Sequence, residues 1–283
     1  MDADRQAWLA AHPYLGPIAR FQRIVEEATP GVRPALPAPR WDSRDQDLST
    51  GVPLLRSAAG PGFSAAAADE LRDLVDRLAG ALLPGGIASA CQELREAIPR
   101  SSGAWSQAMS FTVEGGPAAS APVHPGLLRL LGWTALRRVL RAECTAGREE
   151  GPWDRSECPV CGSLPVMAQL VPADGARQRF LACGCCGTTW RFTRIGCPFC
   201  GNEAPERLGI LQVKEEERLR IDVCDECGGY LKTYAGEGDE ELFLADWSTL
   251  HLDLMARDRG LRRVGASLYE LPELSHDERR ADP

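Results

Sequence analysis

The sequence predicts an α+β chain: an N-terminal α-helical domain (1–150), a β-rich region of two tandem cysteine-bounded modules (151–235), and a C-terminal helix and tail (236–283). Three observations predict this. Apolar residues recur at helical spacing before residue 150 and again after residue 240. Between those stretches the pattern shortens to β-like runs. Nine of the eleven cysteines lie among those runs, between residues 158 and 227.

The helices come first. Ile18, Phe21, Ile24 and Val25 mark an early one, followed by the long irregular connection PGVRPALPAPRWDSRDQDLSTGVP. Leu71, Leu74, Val75, Leu78 and Leu82 then fall at i, i+3, i+4, i+7 and i+11. They form one apolar stripe of a helix over 64–83, with Ser64 as its N-cap and Pro84-Gly85-Gly86 as its stop. Ile87, Ala90, Cys91, Leu94 and Ile98 repeat the pattern, and Trp133, Leu136, Leu140 and Cys144 line a third helix over 125–144. Cys91 and Cys144 sit on these stripes and read as small buried thiols.

The polar stretch TAGREEGPWDRSE (145–157) reads as a linker. Beyond it RQRFLAC, TTWRFTRIG, GILQV and LRIDVC read as strands, each beside or between cysteine pairs. From Glu240 a helix returns, with Phe243, Trp247, Leu250 and Leu254 on one stripe and Gly260 as its stop. His251 and Met255 lie beside that stripe and read as a partly packed helix face rather than as ligands. The tail from Ser275 reads as frayed.

Composition narrows the function. The charge is −8, from 40 acids against 32 bases, and Lys214 and Lys232 are the only lysines. A general polyanion binder carries a positive excess, so nucleic acid is disfavoured as a partner. Residues 158–235 hold nine bases and nine acids, and two thiolate-bound ions would push that region negative. Trp190, Phe192 and Arg194 alternate as a small stacking strip would, but without a positive field they read as packing against a neighbouring cysteine turn. Apolar residues at 44% exclude wholesale disorder. No apolar run approaches the ~18 residues of a membrane span. The opening MDADRQAWLAAHP has no basic n-region, so the expectation is a soluble cytoplasmic protein.

In a reducing cytosol, dense cysteine points to metal or redox chemistry rather than to disulfides. Four C-x-x-C pairs occur: Cys158/Cys161, Cys183/Cys186, Cys197/Cys200 and Cys224/Cys227. Glycine follows each at once, as Gly162, Gly187, Gly201 and Gly228. Two thiolates three residues apart can face one ion while the backbone curls beneath them and donates N–H groups to the sulfurs. The residue closing that curl adopts positive φ, which glycine does without steric cost. Such a turn is a knuckle of the rubredoxin or zinc-ribbon kind, and two knuckles make a tetrahedral four-sulfur site.

The pairs form an internal repeat, with offsets of 39 and 41 residues between CPVCG…CGCCG and CPFCG…CDECG. Cys158, Cys161, Cys183 and Cys186 therefore group as site 1, and Cys197, Cys200, Cys224 and Cys227 as site 2. Interleaved pairing, first with third and second with fourth, stays open. Cys185 falls outside the register and is left as an exposed reactive thiol or a tolerated residue.

Four sulfurs suit iron or zinc equally, so the expectation is two metal ions per chain, iron or zinc, each bound by four cysteines. A site closed by four protein ligands has no place for water or substrate, so metal-assisted hydrolysis is disfavoured. His12, His124, His251 and His276 are scattered along the chain, and no nucleophile–base set, P-loop or dinucleotide fingerprint is present. No catalytic residue is assigned, and an accessory protein is expected rather than an enzyme.

The ordered pairs, with Trp190, Arg194 and the YLK after the last pair, resemble the formate dehydrogenase accessory protein family, FdhE. The likeness is closest over CPVCGSLPV, RFLACGCCGTTWRFTRIGCPFCGN and IDVCDECGGYLKTY and continues into LADWSTLHLDLMARDRGLRR, about Cys158 to Arg263. GVPLL at Gly51–Leu55 is similar too. The resemblance implies a cytoplasmic protein needed to make active formate dehydrogenase, contacting that enzyme's catalytic subunit before export and binding iron in rubredoxin-like sites. It carries the ligand role onto the eight knuckle cysteines and gives none to Cys185. Two other readings stand beside it: a rubredoxin-like redox or thiol-exchange protein and, more weakly, a nucleic-acid-binding zinc ribbon. Homo-oligomerisation is left open.

Overall fold

The computed structural model describes residues 3–28, 48–56, 60–81, 83, 86–114, 123–140 and 153–269. Helices and strands build it, as the cysteine and helix patterns predict, but the strands form one sheet. Cys144, His276, Leu82, the tail from Ser275 and most of both predicted connections lie outside the described residues.

Among the described residues six helices precede the cysteine pairs: α1 (Ala3–Ala11), α2 (Gly16–Ala28), α3 (Gly60–Ala79), α4 (Ile87–Ala97), α5 (Ser102–Glu114) and α6 (Pro125–Leu140). α3 packs against α4, α5 and α6. Its buried Leu71, Leu74, Val75 and Leu78 are the stripe read from the sequence. The helix begins at Gly60 rather than at Ser64. α6 is buried nearly all round, from Leu128 to Leu140, so it is the inner helix of the bundle. Gly132 lets α5 come close, since a Cβ there would lie 2.6 Å from the Thr112 side chain. The Trp133 indole N–H donates to the Thr112 carbonyl at 2.7 Å. α1 and α5 were not predicted. In α5, Trp105, Ala108, Met109 and Thr112 do share helical spacing, but alanine and threonine mark an apolar face weakly.

The strands are β1 (Pro165–Ala173), β2 (Ala176–Cys183), β3 (Thr189–Phe192), β4 (Leu208–Gln212), β5 (Leu219–Cys224), β6 (Gly229–Ala235) and a short β7 (Arg262–Arg263). Their order is β3-β2-β1-β6-β5-β4, with β7 beside β6. Each sequence repeat is thus a three-stranded antiparallel unit, and the two join where β1 runs parallel to β6, Met167 opposite Lys232. The two modules are one continuous sheet rather than separate beads. β1 and β6, which the sequence reading left unassigned, form the seam. Both are buried along most of their length, and buried strands lack the apolar–polar alternation that marks a half-exposed one.

The seam is covered on both sides. Leu231, Ala168 and Leu181 join the core shared with α3–α6. Tyr230 and Tyr234, on the other face of β6, pack with Leu15, Ala19, Phe243 and Trp247.

The C-terminal stripe is not one helix. α7 (Glu240–Phe243) and α8 (Leu250–Asp258) are separated by Asp246, whose φ is +59°. Asp246 is drawn inward, where it pairs with Lys232 at 2.6 Å and Arg263 at 2.6 Å and accepts from the Ser267 hydroxyl at 2.7 Å. The break turns the second half, so Leu254 is partly exposed while Leu252, Asp253 and Ala256 are buried. Gly260, at φ +73°, ends α8 as predicted.

Candidate metal centres

The four knuckles share one construction. The N–H of Gly162 donates to the Cys158 carbonyl at 2.9 Å, Gly187 to Cys183 at 3.1 Å, Gly201 to Cys197 at 3.0 Å and Gly228 to Cys224 at 2.8 Å. All four glycines have positive φ, between 66° and 77°. Each turn points its cysteine pair to one side, and N–H groups inside it face the sulfurs. Val160 N donates to Cys158 Sγ, Cys186 N to Cys183 Sγ and Phe199 N to Cys197 Sγ, each at 3.4 Å.

The structure gathers Cys158, Cys161, Cys183 and Cys186 in one group and Cys197, Cys200, Cys224 and Cys227 in another, each within 4.8 Å. The grouping is the non-interleaved one. In the first group Cys158 and Cys186 sulfurs are 3.5 Å apart and Cys161 and Cys183 sulfurs 3.4 Å apart. In the second, Cys197–Cys227 and Cys200–Cys224 are both 3.7 Å apart. Four sulfurs about 2.3 Å from one central ion lie about 3.8 Å from each other, so both sets fit a tetrahedral ion of iron or zinc size. Such an ion would be fully ligated by protein.

The sets differ in setting. Site 1 is buried, and its cysteines belong to the core that includes α3–α6. Burial pushes the Cys158 and Cys183 thiols well up, while hydrogen bonds from the other sulfurs, Cys158 first, hold Cys161 well down. Four thiolates gathered in a buried site need a cation to offset their charge. GVPLL clasps the first knuckle: Leu54 N donates to the Pro159 carbonyl at 2.9 Å and Leu55 N to that of Val160 at 2.8 Å. From α6, Arg137 reaches the second knuckle, donating to the carbonyls of Gly184 and, at 3.0 Å, Cys185.

Site 2 is more open, with Cys200 exposed and Cys227 half-buried. Burial raises Cys197 to about 12. Burial also acts on Cys224, but N–H groups of Cys227 and Glu226 and the Asn202 side chain outweigh it and bring that thiol to about 7.

Some single residues stand where the sequence places them, as Cys91 and Trp190 do, and others differ. Cys185 is buried, not exposed, and its hydrogen bond to Cys161 together with burial raises its thiol well up. Trp190 offers no stacking face. It is buried, and its indole N–H donates to the Arg155 carbonyl at 3.0 Å. Cys91 lies in the bundle core, where burial raises it to about 11. The histidines are not all scattered, since His12 and His251 meet across Glu216. The sequence reading also missed a buried charge cluster. Lys232 pairs with Asp246 at 2.6 Å and Asp253 at 2.8 Å, and Arg263 pairs with the same two acids. The lone lysine of the YLK segment was its only sequence signal.

Beside site 2 lies a groove of about 450 Å³. Cys197, Phe199, Cys224 and Tyr230 are in its wall, and Arg177, Arg179, Arg194 and Arg220 line it with Asp222. Among the described residues no helix is long and apolar enough to cross a membrane.

Comparison with known proteins matches two family models, the FdhE central domain over residues 157–194 and the FdhE C-terminal domain over 195–269. A Protein FdhE homolog of Stutzerimonas stutzeri is 31% identical over 175 residues, 60% of this chain and 55% of that protein. A Protein FdhE homolog of Aquifex aeolicus is 32% identical over 119 residues, 41% of this chain and 42% of that protein. Protein FdhE of Escherichia coli is 29% identical over 145 residues, 50% of this chain and 45% of that one. The chain thus matches about half the length of these relatives. The crystal structure of the FdhE protein from Pseudomonas aeruginosa shares the fold, with TM-score 0.56 at 24% identity over 90% of this chain and 87% of that one.

Proposed function

The chain belongs to the FdhE family through residues 157–269, and from that premise we propose that it is an accessory protein in the making of active formate dehydrogenase. It binds that enzyme's catalytic subunit in the cytoplasm and has no reaction of its own. Its two tetrathiolate sites are rubredoxin-like and hold iron or zinc. The observation that carries this reading is the gathering of both sulfur sets, each of which would close around one ion and leave no position for a substrate. Bound there, an ion supplies rigidity, because metal affinity is part of folding free energy at such sites.

The surface so held in shape is the groove beside site 2. Arg177 and Arg194 stand exposed on it, and Ile195 and Ile210 are exposed at 55% and 53%. Four arginines against one aspartate, in a chain of net charge −8, favour an acidic and partly apolar segment of the catalytic subunit as the occupant. In a strain lacking its own such factor, the wild-type chain restores formate dehydrogenase activity. The double variant Arg177→Glu/Arg194→Glu lowers that activity at least tenfold while keeping its metal and thermal midpoint. Full activity in that variant removes the groove from the account.

A second reading, electron transfer through iron at site 2, is favoured by the exposure of Cys200. It predicts reversible bleaching by a reductant. A zinc-loaded chain that restores full activity overturns it.

A further inference from the structure

His12, Glu216 and His251 come from three parts of the chain. His12 follows α1, Glu216 lies in the loop between β4 and β5, and His251 stands in the first turn of α8. Their ligand atoms lie within 4.8 Å of one another. His12 Nε2 is 3.0 Å from Glu216 Oε1 and His251 Nε2 is 2.8 Å from Glu216 Oε2, and all three side chains are mostly buried.

Hydrogen bonding alone leaves a neutral His12 in conflict. Its Nδ1 is 3.0 Å from the Trp8 carbonyl oxygen, which already accepts the His12 backbone N–H at 2.9 Å. Both ring nitrogens therefore face oxygen atoms, and a neutral imidazole has only one N–H. Whichever nitrogen carries it, the other directs a lone pair at an oxygen. A second proton removes the conflict by making His12 an imidazolium paired with Glu216, and a cation beside Nε2 removes it equally, leaving Nδ1–H to donate to Trp8. That is the usual arrangement of a metal-bound histidine, whose second nitrogen donates to a carbonyl that fixes the ring. The ring is fixed further by Trp8, stacked at 3.9 Å and itself anchored by its indole N–H on the Ser248 carbonyl at 2.9 Å. His251 Nδ1 has no partner among the described residues and would have none in either arrangement.

We propose that His12, Glu216 and His251 form a third cation site, for a divalent first-row ion such as zinc, iron(II) or manganese. Two imidazoles and a carboxylate are intermediate donors, unlike the eight thiolates. With bonds of about 2.1 Å, ligands at right angles lie about 3.0 Å apart and tetrahedral ones about 3.4 Å. His12 lies 3.0 Å from one Glu216 oxygen and His251 2.8 Å from the other, so a carboxylate binding through both oxygens would meet each imidazole at about a right angle. Three protein ligands leave positions open, so this ion exchanges more readily than those in the sulfur sites. It also bolts α1 to the sheet and to α8, and so fixes the N-terminal helix on the face opposite the α3–α6 bundle.

Cobalt(II) titration tests the site in the full-length protein, with both sulfur sites zinc-loaded and loosely held ions removed by a chelator. One further cobalt per chain is expected, with weak visible bands and no sulfur-to-cobalt charge-transfer band. His12→Ala and Glu216→Gln should each weaken it at least tenfold while two zinc ions per chain remain. Glu216→Gln preserves side-chain shape, so it reads out the site if His12→Ala disturbs folding. No cobalt beyond the sulfur sites overturns the proposal, as does uptake only with the charge-transfer band, or binding unchanged by both substitutions.

Discussion

The smallest units that decide this fold are the knuckle glycines. Gly201 has φ +73° and open space around its Cβ direction, so Gly201→Ala isolates the backbone term. It should lower stability by about 1 kcal/mol, with Gly201→Asn recovering part of that. Gly162→Ala should lower it more, because there a Cβ would also lie 3.3 Å from Pro53. Equal denaturation midpoints for the two alanine variants would contradict this. Lys232 is the second decisive residue. Burial alone would raise the Asp246 carboxyl, but Lys232 and Arg263 outweigh it and hold it well below the usual range. Its contribution is therefore full above the unfolded carboxylate pKa of about 4 and is lost as pH falls toward the depressed folded value. Lys232→Met leaves two buried acids facing Arg263 alone and should destabilise the chain by about 3–5 kcal/mol. It should also flatten the acid side of the stability–pH curve, and an unchanged acid limb would rule out the pairing. The positive φ of the glycines was legible in the sequence, because C-x-x-C-G names its own turn. The partners of Lys232 were not, since their positions in the sequence do not show that Asp246 and Asp253 converge on it.

Among the elements, the sulfur sites differ in what covers them. Site 1 lies beneath the helix bundle, clasped by Leu54 and Leu55 and held by Arg137, whereas site 2 presents Cys200 to solvent. A chelator should therefore strip one ion quickly and the other slowly, and Cys197→Ser should abolish the fast phase alone. Release of both ions in a single phase would contradict the difference. β2 and β5 were legible because each ends in a cysteine. β1 was not, although its turn with β2 is an Asp174-Gly175 dipeptide, a strong hairpin signal. Its run Pro165–Ala173 is too uniformly apolar to show period two. The predicted continuous C-terminal helix failed for another reason: a buried ion-pair network turned Asp246 inward and overrode the local periodicity.

At the scale of the molecule, the repeat in the cysteine spacing became a repeat in the sheet, β1–β2–β3 beside β4–β5–β6. The parallel seam between β1 and β6 has no sequence mark, which is why two modules in tandem were legible and their fusion was not. The seam carries the functional account. It sets site 1 against the helices and opens the arginine groove beside site 2. The central claim is that this metal-pinned sheet holds the catalytic subunit of formate dehydrogenase. Its most direct test is anaerobic purification of the tagged chain, after cross-linking, from cells that make the enzyme. The account predicts that the catalytic subunit is recovered with the wild-type chain and lost when Cys197, Cys200, Cys224 and Cys227 are replaced by serine. Recovery undiminished by those replacements, or no catalytic subunit with the wild-type chain, would contradict it.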